Sequence, residues 1–152
     1  MIAWLKSLFT PRRAAQNTQQ QDAVEAGLDP DIREVFLEEL NETLASLQAT
    51  LPKWKDNRRD PAALKQLRRD FHTIKGSAKM VNAGPIGLYC RDLEQLVILF
   101  TDHPARMSPE AMYLLERSVP VLAQFVESIR SNTKAPTEAG TLAQKVRKIV
   151  GN

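Results

Sequence analysis

The sequence is poor in the residues that build stapled, metal-bound or membrane-spanning proteins. Its 152 residues hold one cysteine, Cys90. An internal disulfide and a cysteine metal cluster are therefore excluded. The lone thiol is expected as a small buried hydrophobe on a helix, in a reducing, cytoplasmic setting. There are two histidines, His72 and His103. Neither has a second histidine at i+4, and His72 has no carboxylate at i+3 or i+4, so no metal site is expected. The longest apolar run is LVILF at 96–100, far short of the roughly 20 residues a membrane span needs. No G-x-G-x-x-G, Walker A or G-x-S-x-G run occurs, which leaves no familiar place to bind ATP and no serine-hydrolase elbow. No strand-like alternation and no long-period repeat is visible. Net charge is +3 with a pI near 9.2, too mild to argue for nucleic acid.

What is present is helical periodicity between proline-bearing caps. A first helix starts near Asp29-Pro30-Asp31 and carries Ile32, Phe36, Leu40, Leu44, Leu47 and Leu51 at spacings of three and four, with Pro52 at its end. KWKDNRRD then reads as a polar connection. A second helix takes Asp60 as N-cap and Pro61 as its first residue; Leu64, Leu67, Phe71, Ile74, Ala78 and Val81 form its core stripe. Asn82-Ala83-Gly84 reads as its end, with the glycine as terminator. Pro85 opens a third helix with Ile86, Tyr89 or Cys90, Leu93, Leu96 or Val97, and Phe100 inward, ending near Asp102-His103-Pro104. Ser108-Pro109 opens a fourth, with Leu115, Val119, Leu122, Val126 and Ile129 buried and Pro120 expected to kink or split it.

These stripes predict an all-α protein: an antiparallel up-and-down four-helix bundle over residues 29–131. Residues 1–28 are expected to be a tail and linker, rich in Gln, Ala and Thr after residue 9. A short amphipathic helix over 2–9, with Trp4, Leu5, Leu8 and Phe9 apolar, is the sharper alternative. Residues 1–13 would then touch a membrane surface or a partner, helped by Lys6, Arg12 and Arg13. Residues 132–152 are expected to be a linker and a short, weakly held fifth helix.

The second helix carries another stripe. Lys65, Arg68, His72, Lys75 and Lys79 recur at helical spacing beside the core stripe. His72 is thus central in a basic, wet row and is not a core histidine. An imidazole is a nucleophile near neutral pH, and cations one turn away stabilise a dianionic group attached to it. Gly76, at His72 plus four, leaves bare backbone where another protein could approach. The combination suggests a histidine that is phosphorylated and read by a partner; the bland alternative is an incidental histidine on a solvated charged face.

The stretch FHTIKGSAKMVNAGPIGLYCRDLEQL resembles histidine phosphotransfer (Hpt) domains, where His-x-x-Lys-Gly-Ser lies mid-helix and Cys-x-x-Leu-Glu follows on the next helix. The matching residues are His72, Lys75, Gly76, Ser77, Cys90, Leu93 and Glu94. The wider run from IREVFLEEL is most similar to the N-terminal Hpt modules of chemosensory kinases that control type IV pili and twitching motility. The resemblance implies an antiparallel four-helix bundle with His72 as phosphoacceptor through Nε2. It implies Lys75 offsetting the phosphoryl charge, Lys79 as helper, and Glu94 accepting from Nδ1–H to fix the tautomer. Gly76, Ser77, Arg68 and Lys65 would meet the docking partner. It further implies a response-regulator receiver domain and a histidine kinase catalytic domain as partners, with Mg²⁺ supplied on their side and no cofactor bound by this chain. The protein would be a phosphocarrier and not an enzyme, either standing alone or detached from a larger gene. A scaffold of the same fold that transfers nothing is the rival. One departure is Asn82, where many members have glycine; asparagine tolerates the left-handed conformation best among other residues.

Overall fold

The structure, a computed structural model, describes residues 28–151; the amphipathic segment expected over 2–9 lies outside them. Five α-helices follow in order: α1 Pro30–Asp56, α2 Pro61–Met80, α3 Gly84–Asp102, α4 Pro109–Ser131 and α5 Thr137–Gly151, with one 3₁₀ turn at Pro104–Arg106. There is no strand among the described residues.

Helix starts follow local chemistry. The carboxylates of Asp29 and Asp60 accept from the N–H groups of Asp31 (2.9 Å) and Ala62 (3.1 Å), and Ser108 Oγ accepts from Ala111 N–H (3.1 Å). Each satisfies one orphan donor, and each helix carries proline in its first turn, where no donor is lost. Asparagine closes two helix ends. Asn82 (φ 60°) and Asn132 (φ 55°) are left-handed. Ala83 N–H reaches back to Ala78 O (2.8 Å) and Thr133 N–H to Ser128 O (2.8 Å), the six-to-one bond of a Schellman turn. Asn82 therefore does what was expected of Gly84, and Gly84 is instead the first residue of α3.

Helix α2 packs between α1 and α3; α4 closes the bundle against α1, and α5 lies across α3 and α4. The loops from α1 to α2 and from α2 to α3 hold only residues 57–60 and 81–83, so consecutive helices lie side by side. Phe36, Leu40, Leu47, Leu67, Phe71, Ile74, Ile86, Leu93, Leu96 and Phe100 are fully buried at the centre. Each contributes about 1.5–3 kcal/mol by leaving water. No helix among the described residues is long and apolar enough to cross a membrane.

Three expectations need correction. First, α1 runs on through Pro52 to Asp56. Trp54, placed by its charged neighbours in a polar connection, is fully buried. Its ring stacks on Phe100 (centroids 6.0 Å apart), its Nε1–H donates to Arg58 O (3.1 Å), and the Arg58 guanidinium lies 4.3 Å from the ring centre. This anchoring holds a turn that loses one backbone bond to proline. Second, of the kink or split expected at Pro120, the split does not occur: α4 is one helix across it. The ring sits on the exposed side, between buried Val119 and Val121, where the carbonyl it leaves unpaired can meet water. Third, α5 begins four residues before the expected TLAQKVRKIV and is firmly held. It buries Ala139, Leu142, Ala143 and Val146, and is tied by a bidentate Arg117–Glu138 pair (2.6 and 2.8 Å) and by Arg147–Asp92 (2.6 Å).

Candidate functional site

The basic row of α2 stands on the surface. Lys65, Arg68, His72 and Lys79 are exposed, and Lys75 and Gly76 are half-buried. The His72 side chain is 63% exposed, although its ring is tethered. Its Nδ1 lies 2.8 Å from Glu94 Oε2 on α3. Lys75, one turn along, donates from Nζ to the other oxygen, Oε1, also at 2.8 Å. The Glu94 side chain is only 6% exposed.

The electrostatics of this triad have one sense. Burial alone would push the Glu94 carboxyl up; the hydrogen bonds from Lys75 and His72, together with the Lys75 charge, outweigh it and hold the group below the usual carboxylate range. Glu94 is thus ionised at neutral pH and can only accept hydrogen bonds. The ring proton must then sit on Nδ1. In the neutral imidazole this leaves the lone pair on Nε2, which has no hydrogen-bond partner among the described residues.

The other site residues divide. Lys79, Arg68 and Lys65 lie along the same exposed row and form no ion pair among the described residues. A Cβ added at Gly76 would meet nothing within 4 Å, so the backbone there is open. Ser77 does not belong to a docking surface: it is 1% exposed, and its hydroxyl is buried without a hydrogen-bond partner among the described residues. Five residues from His72 is a rotation of about 140°, which turns Ser77 towards α1. The motif brought it in, although helical spacing alone would have placed it inside. Lys75 donates one hydrogen bond to Glu94, so part of its charge already faces that carboxylate. Cys90 is fully buried, and burial pushes its thiol far up, so it is inert.

Two features escaped the sequence reading. Asp70 on α2 faces α1, accepting from Ser46 Oγ (2.6 Å) and Gln66 Nε2 (3.0 Å). Gly87 on α3 stands where an added Cβ would meet Ala78 Cβ at 3.2 Å. Asp70 could have been found as a carboxylate on the buried side of α2. No one-dimensional signal marks Gly87.

The fold and site together define a bundle that presents an exposed, tautomer-fixed histidine on a cationic helix. The chain belongs to the Hpt-domain family, whose sequence model matches residues 31–132, and it is therefore an Hpt phosphotransfer domain in class. Among relatives, it is similar to the chemotaxis protein CheA of Rhizobium meliloti (strain 1021), with 27% identity over 100 residues. That match covers 66% of this chain and 13% of the relative, so the chain spans a small part of that protein. In fold it is similar to the phosphorylated P1 domain of CheA3 in complex with CheY6 from R. sphaeroides, with a TM-score of 0.67 and 20% identity, covering 80% of this chain and 96% of that one.

Proposed function

We propose that the chain is a phosphorelay carrier in which His72 Nε2 accepts a phosphoryl group from a partner kinase or a phosphorylated receiver and passes it to the aspartate of a response-regulator receiver domain. The observation that carries this reading is the 2.8 Å hydrogen bond from His72 Nδ1 to buried, ionised Glu94, on a ring otherwise open to solvent.

The chemistry follows from that bond. The Nε2 lone pair attacks the γ-phosphorus of ATP held by the kinase; an N–P bond forms as the P–O bond to departing ADP breaks. The ring keeps its Nδ1 proton and gains positive charge, which Glu94 stabilises across the 2.8 Å contact. In the second transfer the receiver's carboxylate attacks phosphorus, the N–P bond breaks, and the electron pair returns to Nε2 with no proton to move. Lys75 holds Glu94 ionised and oriented. Lys79, Arg68 and Lys65 supply the positive field that phosphoryl oxygens and an acidic receiver pocket require. Mg²⁺ enters with the partner, on the receiver or the kinase. Open backbone at Gly76 lets the receiver approach.

The solved relative whose fold matches carries a phosphoryl group and is bound to CheY6, which supports a receiver as the partner. The finer assignment, to the N-terminal Hpt modules of chemosensory kinases governing type IV pili, rests on the sequence resemblance and on the likeness to a chemotaxis protein. The carrier would work in the cytoplasm, where ATP and receivers are found. The test is chemical. Incubation with a phosphorylated receiver or an active kinase should place on His72 a phosphate that is acid-labile and alkali-stable. An acid-stable phosphate, or none with any donor, would leave a non-transferring scaffold.

A further inference from the structure

Helix α3 meets α2 at one point with no side chain of its own in between. A Cβ built on Gly87 would stand 3.2 Å from Ala78 Cβ and 3.9 Å from the Lys75 carbonyl oxygen. Carbon atoms in ordinary contact stand about 3.5–4.0 Å apart, so even a methyl group here forces a neighbour to give way. Backbone conformation is not the reason for the glycine, since no described glycine has a positive φ. The other described glycines, Gly76, Gly84, Gly140 and Gly151, would meet nothing within 4 Å. Gly87 is thus the one glycine among the described residues that acts by close approach.

The contact is placed to govern the site. Lys75, whose carbonyl oxygen would stand 3.9 Å from a Cβ at Gly87, donates to Glu94. Ala78 is less than two turns beyond His72 on α2. Glu94 follows Gly87 by two turns of α3, on the same face. The geometry points to Gly87 as a positioning residue for the His72–Glu94 pair: a hydrogen atom in place of a side chain lets α3 lie near enough to α2 for Glu94 to reach Nδ1 at 2.8 Å. Good N–H···O hydrogen bonds span about 2.7–3.2 Å, so a shift of α3 by several tenths of an ångström takes the 2.8 Å contact out of that range. The inference deepens the phosphoacceptor reading of His72, and its importance for transfer rests on that reading.

The test uses Gly87→Ala, Gly87→Val and the double variant Gly87→Ala with Ala78→Gly, all in the full chain. Nitrogen-15 NMR of the neutral His72 ring reports the tautomer, and labelling by phosphoramidate reports reactivity. In the parent the ring proton should sit on Nδ1. Gly87→Val should give a tautomer mixture and slow labelling by about tenfold, as loss of a charge-assisted hydrogen bond implies. Gly87→Ala should lie between. Ala78→Gly removes the very atom that the new methyl meets, so the double variant should return the ring to the parent tautomer although it loses stability. A folded Gly87→Val protein with a parental ring would overturn the proposal, as would a double variant that stays shifted. Should Gly87→Val not fold, the alanine variant and its rescue decide alone. A parent chain that no donor labels would sink the phosphoacceptor reading, while the ring spectra would still decide the role of Gly87.

Discussion

Among the described helices, α2 packs mainly against two, α1 and α3, and meets them in different ways. Against α3 it packs through apolar atoms at close range, with Ala78 on Gly87, and adds only the His72–Glu94–Lys75 cluster at the rim. Against α1 it meets a polar seam. Asp70 accepts from Ser46 and Gln66 there, while Glu39 on α1 and Ser77 on α2 each bury an oxygen with no hydrogen-bond partner among the described residues. Glu39 lies seven residues before Ser46 and Ser77 seven after Asp70, so the antiparallel register carries both to the same level. The comparison teaches how the labour is divided. Apolar close packing sets a distance to tenths of an ångström and suits the side that must place Glu94 on a ring nitrogen. A hydrogen-bonded seam fixes register, yet buried polar groups add little net stability.

If this division is right, changes on the two sides have separable effects. The largest is expected at the ring itself. His72→Gln should abolish phosphorylation while stability stays within about 0.5 kcal/mol of the parent, as for exposed sites in general. A large drop in the thermal midpoint would make His72 structural. Next, Glu94→Ala should slow phosphorylation about tenfold and move the ring towards mixed tautomers; an unchanged rate and tautomer would show that the α2–α3 rim does nothing for transfer. On the other side, Ser46→Ala should cost about 1–2 kcal/mol in denaturant unfolding by leaving Asp70 short of a donor. The His72 tautomer should not move, and if it does, the two interfaces are not independent.

The two carboxylates give a finer contrast, in pH. Burial outweighs the hydrogen bonds of Ser46 and Gln66 and the charge of Arg69, and holds Asp70 above the usual range. Its folded form binds a proton more tightly than the unfolded chain does. Its contribution to stability is therefore fully present below the unfolded value and is lost as pH rises through the folded one. Glu94, held below the range, behaves oppositely: its contribution is present above the unfolded value and is lost as pH falls through the folded one. Relative to the parent, Asp70→Asn should gain in thermal midpoint from acid to neutral pH and Glu94→Gln should lose. Parallel trends in both would refute the contrast. The smallest effect is expected at Gly76, which touches neither neighbour. Gly76→Glu should raise stability by about half a kcal/mol through helix propensity and slow transfer to a receiver, as paired unfolding and transfer assays would show. Normal transfer would mean that the receiver docks elsewhere.

Spacing in one dimension was enough for much of this. The core stripes of four helices, the proline-bearing starts and the exposed row holding His72 follow from a period of 3.6 residues, because a helix converts sequence distance directly into direction. The same rule would have put Ser77 inside, had the motif not suggested otherwise. Residues whose place depends on a partner helix were not legible this way. Trp54 sits among charges in sequence, and only the approach of Phe100 and Arg58 makes it core. Helix α5 has an apolar stripe that means little until α3 and α4 supply the surface it covers.

By itself, then, the sequence determined that an imidazole stands on a wet, cationic helix face of an all-α bundle, since that needs only local periodicity. The contact that frees Nε2, which the resemblance implied and periodicity did not, the bond from Lys75 to Glu94, and that Gly87 rather than Gly76 is the glycine in contact were decided by tertiary structure. Each depends on the separation of two helices that are neighbours in space, to within tenths of an ångström, and no pattern along one chain segment encodes that distance.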